Sequence, residues 1–180
     1  MIITVASGKG GTGKTTVSVN LARLAVLRGY DVHLCDCDVE EPNAHLFLNP
    51  QFSSVETVEL AVPIVDQDRC RHCGKCTEIC QFNAIASLPK QTIVFPDLCH
   101  SCAGCWLACP EQAIDQGTRE IGVVESAQTM GMAFTRGLLK VGQTQVPPLV
   151  EAVKKVPLAS SLVIRDAPPG AACPTVAALE

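Results

Sequence analysis

The sequence has no excess of basic residues and no long apolar run, and these absences exclude several classes of protein. Its 180 residues include 14 Lys and Arg against 18 Asp and Glu, a formal net charge of −4, so the basic footprint of a nucleic-acid-binding protein is missing. No run of 18 or more apolar residues occurs, which predicts no transmembrane segment. Residues 1–6 lack a basic n-region and are predicted to form a first strand, not a signal peptide.

The missing export signal also bears on the eleven cysteines. In a small secreted domain they would predict disulfides, but here their spacing is that of a metal site, so we expect a protein of the reducing cytoplasm. Hydrophobic residues make up 47% and charged residues 18% of the chain, a composition that suits a compact, soluble fold.

Eight of the cysteines form two runs, CRHCGKCTEIC from Cys70 and CHSCAGCWLACP from Cys99, separated by 18 residues. Each run reads C-x2-C-x2-C-x3-C. Four thiolates can bind either zinc or an iron–sulfur cluster. Zinc ribbons use two C-x2-C pairs set well apart, whereas three cysteines at i, i+3 and i+6 suit one face of a cubane cluster.

Two such runs resemble the bacterial two-cluster ferredoxins, in which the fourth cysteine of each run ligates the other cluster. The resemblance implies two [4Fe–4S] clusters, one held by Cys70, Cys73, Cys76 and Cys109 and the other by Cys99, Cys102, Cys105 and Cys80. Zinc or a reduced thiol cluster is the alternative. The first run departs from the pattern because Gln81, not proline, follows Cys80. His72 and His100 receive no metal role, since the thiolate sets are complete without them.

The stretch GKGGTGKTT matches the P-loop pattern G-x4-G-K-[ST] between a predicted strand (residues 2–6) and a predicted helix (residues 15–28) that ends before Gly29. Its backbone N–H groups should surround phosphate oxygens, with Lys14 on the β- and γ-phosphates and the Thr15 hydroxyl on Mg²⁺. The predicted nucleotide-binding residues are Gly8, Gly10, Gly11, Thr12, Gly13, Lys14, Thr15 and Thr16.

A second lysine, Lys9, follows the first glycine of this loop, and the whole motif resembles the deviant Walker A of the MinD, ParA, Mrp and NifH superfamily. The fragment DCDVEEPN (residues 36–43) and the DAPPG of residues 166–170 resemble two further motifs of these ATPases. The resemblance implies ATP as ligand and a homodimer that sandwiches two nucleotides. It implies that Lys9 reaches the partner's nucleotide, that Asp38 orients the attacking water, and that Asp36 and Asp166 belong to the Mg²⁺ shell. Gly170 would sense the γ-phosphate.

The expected fold is therefore α/β, a doubly wound and mostly parallel sheet with an inserted α+β ferredoxin module. The predicted organisation is residues 1–65 for the first part of the ATPase domain, 66–117 for the insert and 118–180 for the incomplete continuation. An insert of about 50 residues needs its clusters as a core. The chain is expected to be truncated before the adenine pocket.

The remaining segments give weaker predictions. Residues 44–57 are expected to form a short helix and a loop, and residues 58–65 a strand that Pro63 places at an edge or an ending. Two strands (121–126 and 133–141) should form a hairpin with its turn at Gln128 and Thr129, followed by a helix (147–155) and a buried strand (161–165). Cys35, Cys37 and Cys173 are interpreted as buried residues outside the metal sites.

Three functions fit these features. The first is ATPase activity coupled to electron transfer through the clusters, with a redox partner that the sequence does not name. The second is iron–sulfur cluster assembly or delivery, which the Mrp branch suggests but which a complete ferredoxin ligand set disfavours. The third is a positioning ATPase whose ferredoxin module senses redox state.

Overall fold

A six-stranded sheet organises the chain. The computed structural model describes residues 1–156 and 160–180, and these divide into one unit of Met1–Val58 with Ile121–Glu180 and a second unit of Glu59–Glu120. The strands are β1 (Ile2–Val5), β2 (Val32–Asp36), β3 (Phe52–Val65), β4 (Ile85–Leu88), β5 (Gln91–Val94), β6 (Ile114–Thr129), β7 (Met132–Leu139) and β8 (Leu162–Asp166). The helices are α1 (Lys14–Leu27), α2 (Ala44–Leu48), α3 (Lys75–Ile79), α4 (Gly104–Ala108), α5 (Val146–Lys155) and α6 (Cys173–Leu179), with a 3₁₀ turn at Pro96–Leu98.

The strands of the sheet follow the order β1-β8-β2-β7-β6-β3. The centre of the sheet is parallel, as the short apolar runs of the sequence predict. β1 pairs with β8, β8 with β2, and β2 with β7, all in parallel. All five residues of β2 and all five of β8 are buried, the pattern of parallel strands covered on both faces. The carboxyl ends of β2 and β8 bring Asp36 and Asp166 into register, at the edge where open α/β sheets bind ligands.

Alternate residues of β8 show which helix covers which face. Ile164 packs with Ala22 and Leu34 in a core that includes α1, whereas Arg165 donates from Nη1 to the Ala178 carbonyl of α6 over 3.2 Å. Neighbouring residues of a strand point to opposite faces, so α1 and α6 lie on opposite faces of the sheet. The fold is an α/β fold with a mostly parallel central sheet.

Two segments differ from the sequence expectation. β3 begins at Phe52, inside the predicted loop; five of its first residues are exposed, and so they lack the alternation that marks a half-buried strand. Its place at the end of the strand order agrees with Pro63 as an edge residue. The β6–β7 turn lies at Met130 and Gly131, whose φ angles are 50° and 80°, not at Gln128 and Thr129. Two consecutive positive φ values are those of a type I′ hairpin turn.

The second unit is small and built around the cysteine runs. β4 and β5 form an antiparallel hairpin, and the five-residue helices α3 and α4 contact each other. Arg69 joins the two ends of this unit, since its guanidinium pairs with Asp66 at 2.6 Å and Asp115 at 2.5 Å and donates to the Gln112 carbonyl at 2.7 Å. Glu59–Glu120 extends beyond the predicted insert of residues 66–117 at both ends. Among the helices of the described residues, none has the length and apolarity needed to cross a membrane.

Candidate functional site

A hollow of about 390 Å³ lies in the first unit at the N-terminal end of α1. Residues of the loop before α1, of the segment after β2, of α2 and of the loop after β8 contribute to it. Its lining is Gly10, Gly11, Gly13, Lys14, Thr15, Thr16, Asp38, Glu41, Asn43, Phe47 and Pro169. A helix N-terminus with free backbone N–H groups is a ready anion site, so the hollow is suited to phosphate.

The backbone of this loop explains two of its glycines. Gly11 and Gly13 have φ angles of 71° and 88°, which residues with a Cβ rarely adopt. No heavy atom lies within 4 Å of a Cβ built on either of them, so the conformation, not packing, requires glycine here. Gly13 is the N-cap of α1, and Lys14 therefore begins the helix at the mouth of the hollow.

Other predicted loop residues are engaged within the loop. Thr12 donates its hydroxyl to Ser7 Oγ over 2.8 Å, and Ser7 donates to the Lys9 carbonyl over 2.7 Å. The Gly170 amide donates to the Ser7 carbonyl over 3.0 Å, which links the P-loop to the segment after β8. Lys9 is exposed, and Gly8, Lys9 and Thr12 are not among the lining residues. Ser7 was missed by the sequence analysis because it precedes the motif.

Asp166 lies at the end of β8 beside α1. Its Oδ1 accepts a hydrogen bond from the Ser18 hydroxyl at 3.0 Å, whereas its Oδ2 is buried and has no hydrogen-bond partner within the described residues. Burial raises the pKa of this carboxyl, and the nearby hydroxyls of Thr15 and Ser18, with Lys14, oppose the rise. A buried carboxylate oxygen without a donor needs a partner, and Mg²⁺ with its coordinated water would supply one, so these residues fit the predicted ion.

Ser18 is a second residue that the sequence analysis missed. It is one helical turn after Lys14 and shares the buried face of α1 with Ala22 and Ala25. A polar residue on the apolar face of an amphipathic helix is the signal that could have identified it.

The two aspartates after β2 differ in their surroundings. Asp38 lines the hollow, and burial together with the nearby Asp166 raises its pKa to about 6, against the opposing effect of Lys14. Asp36 is fully buried. Its oxygens accept hydrogen bonds from the backbone N–H groups of Asp38 at 3.2 Å and Ala44 at 3.0 Å, and burial raises its pKa to about 7. The Asp36 carboxyl thus holds the start of α2, and its contact with Mg²⁺ stays a prediction.

The second unit contains two hollows, each bordered by four of the eight run cysteines. The first is lined by Cys70, Cys73, Cys76 and Cys109, with Val65, Arg71, Gly74, Lys75, Ser87, Thr92, Glu111 and Ile114. The second is lined by Cys80, Cys99, Cys102 and Cys105, with Pro63, Ile79, Phe82, Ala84, Ile85, His100, Ala103, Gly104 and Trp106. Each group of four contains three cysteines of one run and the last of the other.

The backbone conformation repeats between the two runs. Positive φ angles occur two residues after the first cysteine (His72 and Ser101), four residues after it (Gly74 and Ala103), and three residues after the last cysteine (Asn83 and Gln112). For residues with a Cβ such conformations are costly and persist where the surroundings require them. They turn successive N–H groups toward the same concavity, the arrangement of an anion-binding nest.

Backbone N–H groups also reach the sulfurs at matching positions. The Ala84 amide donates to Cys80 Sγ and the Ala113 amide to Cys109 Sγ, both at 3.3 Å. Cys80 and Cys109 themselves have nearly equal backbone angles, φ −77° and ψ 101° against φ −79° and ψ 109°. The glutamine that follows Cys80 therefore leaves the local geometry of the first run unchanged.

Among the described residues, no group of three or more His, Cys, Asp or Glu is arranged to hold a single metal ion. His100 stacks on Phe82 with ring centroids 3.7 Å apart, and His72 Nδ1 lies 3.6 Å from Cys70 Sγ. The single Trp106 donates its indole N–H to the Asp115 carbonyl at 3.1 Å.

The three cysteines outside the runs have different environments. Cys35 and Cys37 are buried, as predicted, and burial raises the pKa of the Cys35 thiol to about 12. Cys173 is exposed and is the first residue of α6. The prediction that it is buried was wrong, because the chain reaches α6 through residues 171–173, all of which are exposed.

This combination of a parallel sheet, a glycine-rich loop before a helix and a strand-end aspartate defines a P-loop nucleotide-binding protein. Residues 3–161 match the family described as the CobQ/CobB/MinD/ParA nucleotide binding domain. The chain belongs to this family.

Similarity to individual proteins is partial. An uncharacterized protein of Methanocaldococcus jannaschii is 32% identical over 182 residues, covering 100% of this chain and 64% of that protein. An iron-sulfur cluster carrier protein of Methanococcus maripaludis is 41% identical over 66 residues, which are 37% of this chain and 20% of that protein. The structure of septum site-determining protein MinD with Mg-ADP from Pyrococcus horikoshii aligns with a TM-score of 0.48 and 18% identity, covering 99% of this chain and 53% of that one. The chain thus spans less than two thirds of the length of these relatives.

Proposed function

We propose that this chain is part of an ATP-hydrolysing iron–sulfur protein that couples its nucleotide state to electron transfer through two [4Fe–4S] clusters. The observation that carries the proposal is the division of eight cysteines between two hollows according to the ferredoxin pattern. The C-x2-C-x2-C-x3-C spacing of both runs favours clusters over zinc, which ribbons bind through two C-x2-C pairs set well apart. On this proposal the ferredoxin module interrupts the nucleotide-binding domain.

The residues of the first unit would have distinct tasks toward Mg-ATP. Lys14 neutralises the β- and γ-phosphates, and the glycine-rich backbone donates to their oxygens. Thr15 and the free Oδ2 of Asp166 hold Mg²⁺, directly or through water. Asp38, which lines the same hollow, orients the water that attacks the γ-phosphorus, and the products are ADP and inorganic phosphate.

We further propose that the active form is a homodimer. Lys9 is exposed and does not line the hollow of its own subunit, which leaves it available to the nucleotide of a second copy. All eleven cysteines are free, which suits a reducing cytoplasm.

A second candidate is an iron–sulfur cluster carrier. The partial identity to the iron-sulfur cluster carrier protein of M. maripaludis favours it. A carrier must release its cluster, whereas two complete four-cysteine sets inside one small unit should retain theirs. Transfer of iron to an apo-acceptor would support this candidate over electron transfer.

The decisive experiment is anaerobic purification of the full-length protein followed by iron and sulfide analysis and EPR after dithionite reduction. We expect about eight irons per chain and two [4Fe–4S] signals. The rate of cluster reoxidation by an added acceptor should change with Mg-ATP and not with Mg-ADP.

The presence of clusters, their coupling to nucleotide and their role in electron transfer would each be overturned by a different result. Bound zinc with little iron would overturn the ferredoxin interpretation. Two clusters whose reoxidation ignores nucleotide would overturn coupling and favour redox sensing or storage instead. Clusters that leave the protein for an apo-acceptor faster with Mg-ATP would replace electron transfer by delivery.

A further inference from the structure

The two cysteine hollows differ in chemistry although their backbones repeat. The hollow of Cys70, Cys73, Cys76 and Cys109 is lined by Arg71, Lys75 and Glu111 and by two hydroxyl side chains, those of Ser87 and Thr92. The other hollow has no Asp, Glu, Lys or Arg among its lining residues and contains Phe82, Trp106 and His100. An iron–sulfur cluster in each would therefore meet different electrostatic surroundings.

Thr92 is the residue that distinguishes the first hollow most directly. It belongs to β5, outside both cysteine runs, and is only 3% exposed. Its Oγ1 lies 3.4 Å from Cys70 Sγ. When the sulfur is a metal-bound thiolate it has no proton to donate, so the hydroxyl must be the donor of this hydrogen bond.

The position of this hydroxyl is fixed by Gln67. The Gln67 side chain donates from Nε2 to the Thr92 carbonyl at 2.9 Å and accepts at Oε1 from the Thr92 amide at 3.1 Å. The Gln67 side-chain amide thus makes the same pair of hydrogen bonds, one donated and one accepted, that a neighbouring strand would make with the Thr92 backbone. The Thr92 hydroxyl also donates to Ser87 Oγ at 3.3 Å, and His72 Nδ1 lies 3.3 Å from it. Ser87 has a hydroxyl proton of its own and can become the donor of that contact when Thr92 donates to a thiolate.

In the second run a hydroxyl side chain, that of Ser101, lies near the cysteines but does not donate to a sulfur. Ser101 occupies the place of His72, and its Oγ donates to the Ala61 carbonyl at 2.6 Å. Only its backbone N–H reaches a sulfur, Cys99 Sγ at 3.4 Å. In the described part of this hollow, the sulfur contacts that the structure gives come from backbone amides.

We propose that the Thr92 hydroxyl donates to the Cys70 thiolate and makes the cluster of the first hollow the one with the higher reduction potential. This rests on the proposed function. Reduction adds one negative charge, which a hydrogen bond from a side-chain hydroxyl to sulfur stabilises. Each hollow has a guanidinium nearby, Arg71 at the first and Arg119, which donates to the Cys99 carbonyl at 3.3 Å, at the second, so the Thr92 hydroxyl is the difference that sets the order of the two potentials. After addition of one electron by dithionite, that electron therefore resides in the first hollow.

The test is a redox titration of the full-length holoprotein followed by EPR, comparing wild type with Thr92→Val, which keeps the shape and removes the hydroxyl. We expect the higher of the two midpoints to fall and the lower to stay. At a fixed ambient potential, the ratio of reduced to oxidised first cluster should drop by up to about tenfold, which is about 59 mV for one electron. Thr92→Ser should restore the wild-type midpoint, and Ser87→Ala, which alters a neighbour of Thr92 and no sulfur contact, should change it less.

A second readout tests the hydrogen bond itself, independently of the midpoint potentials. In wild-type protein exchanged into D₂O, pulsed EPR of the first-reduced cluster should show a coupled deuteron that Thr92→Val lacks and Thr92→Ser retains. A shift of the lower midpoint, equal shifts of both, or no shift with two intact clusters would overturn the inference and leave the proposed function standing. Absence of iron from the wild type would overturn both.

Discussion

The Ser18 hydroxyl donates to Asp166 Oδ1 over 3.0 Å, joining residues 148 positions apart in the chain. The same hydroxyl lies 3.0 Å from the Lys14 carbonyl in the preceding turn of α1. Ser18 therefore connects the helix that presents the P-loop to the strand-end aspartate proposed to hold Mg²⁺. The orientation that leaves Oδ2 of Asp166 free depends on this contact.

We expect Ser18→Ala to weaken Mg-ATP binding severalfold and to lower the free energy of unfolding by about 1–3 kcal/mol, since a buried carboxylate oxygen loses its donor. Isothermal titration with Mg-ATP and urea unfolding of the nucleotide-free protein measure the two effects. Ser53→Ala is the matched control, because Ser53 is exposed and its hydroxyl donates to the Ser126 carbonyl, away from the nucleotide hollow. Equal affinities for the two variants would show that Asp166 does not need Ser18.

Lys14→Ala should reduce ATP hydrolysis by about 10²–10³-fold, the usual cost of removing one group that stabilises transition-state charge. The iron content should not change, because Lys14 and the cysteines belong to different compact units. Phosphate release and iron analysis on the same sample are the measurements. Lys155→Ala, an exposed lysine at the end of α5, is the control. Loss of iron together with hydrolysis would mean that the two units do not fold separately.

Much of the fold could be predicted because its signals are local. The buried strand β2 and the loop before α1 are contiguous apolar and glycine-rich segments, and their bounds differ from the prediction by one or two residues. The strand predicted over residues 58–65 is present as the second half of β3, whereas the first half was missed because residues 53–57 are all exposed and mostly polar. The turn at Met130 was missed because methionine in a left-handed conformation is set by the hairpin around it, not by its own preference.

The candidate sites, like the fold, have a part that local sequence predicts and a part that depends on distant contacts. The P-loop and the cysteine runs are motifs whose residues are neighbours in sequence. The contacts of Ser18 with Asp166 and of Thr92 with Cys70 join positions far apart, and only the packing of strands and helices brings them together. Serine and threonine are too common for either contact to be visible in one sequence.

His33 gives a pH dependence that can be isolated. Its Nε2 is 2.8 Å from Thr135 Oγ1, and burial lowers its pKa from the ordinary 6.5, with a smaller opposing effect of Asp31. A histidine whose folded pKa is depressed costs stability as pH falls below 6.5, because the unfolded state then binds more protons. Neutral His33 therefore contributes its full share of the stability of the folded state above pH 6.5.

We therefore expect the stability difference between wild type and His33→Gln to shift toward the variant as pH decreases from 7.5 to 5.5. The shift is at most about 1.4 kcal/mol per pH unit for one proton. Using the difference cancels Asp36 and Asp38, whose raised pKa values act with opposite sign in the same range. Urea unfolding at several pH values is the measurement. A difference that does not vary with pH would show that His33 is protonated alike in both states.

The exchange of the last cysteine between the two runs can be tested by counting iron in double variants. If Cys109 belongs with Cys73, as the first hollow places it, Cys109→Ser combined with Cys73→Ser damages one cluster and leaves about four irons per chain. Cys109→Ser combined with Cys102→Ser damages both and leaves almost none. If each run instead held its own cluster, these two results would be interchanged. Cys173→Ser should keep about eight irons, because the exposed Cys173 borders neither hollow. A four-iron loss in that variant would contradict the ligand sets themselves.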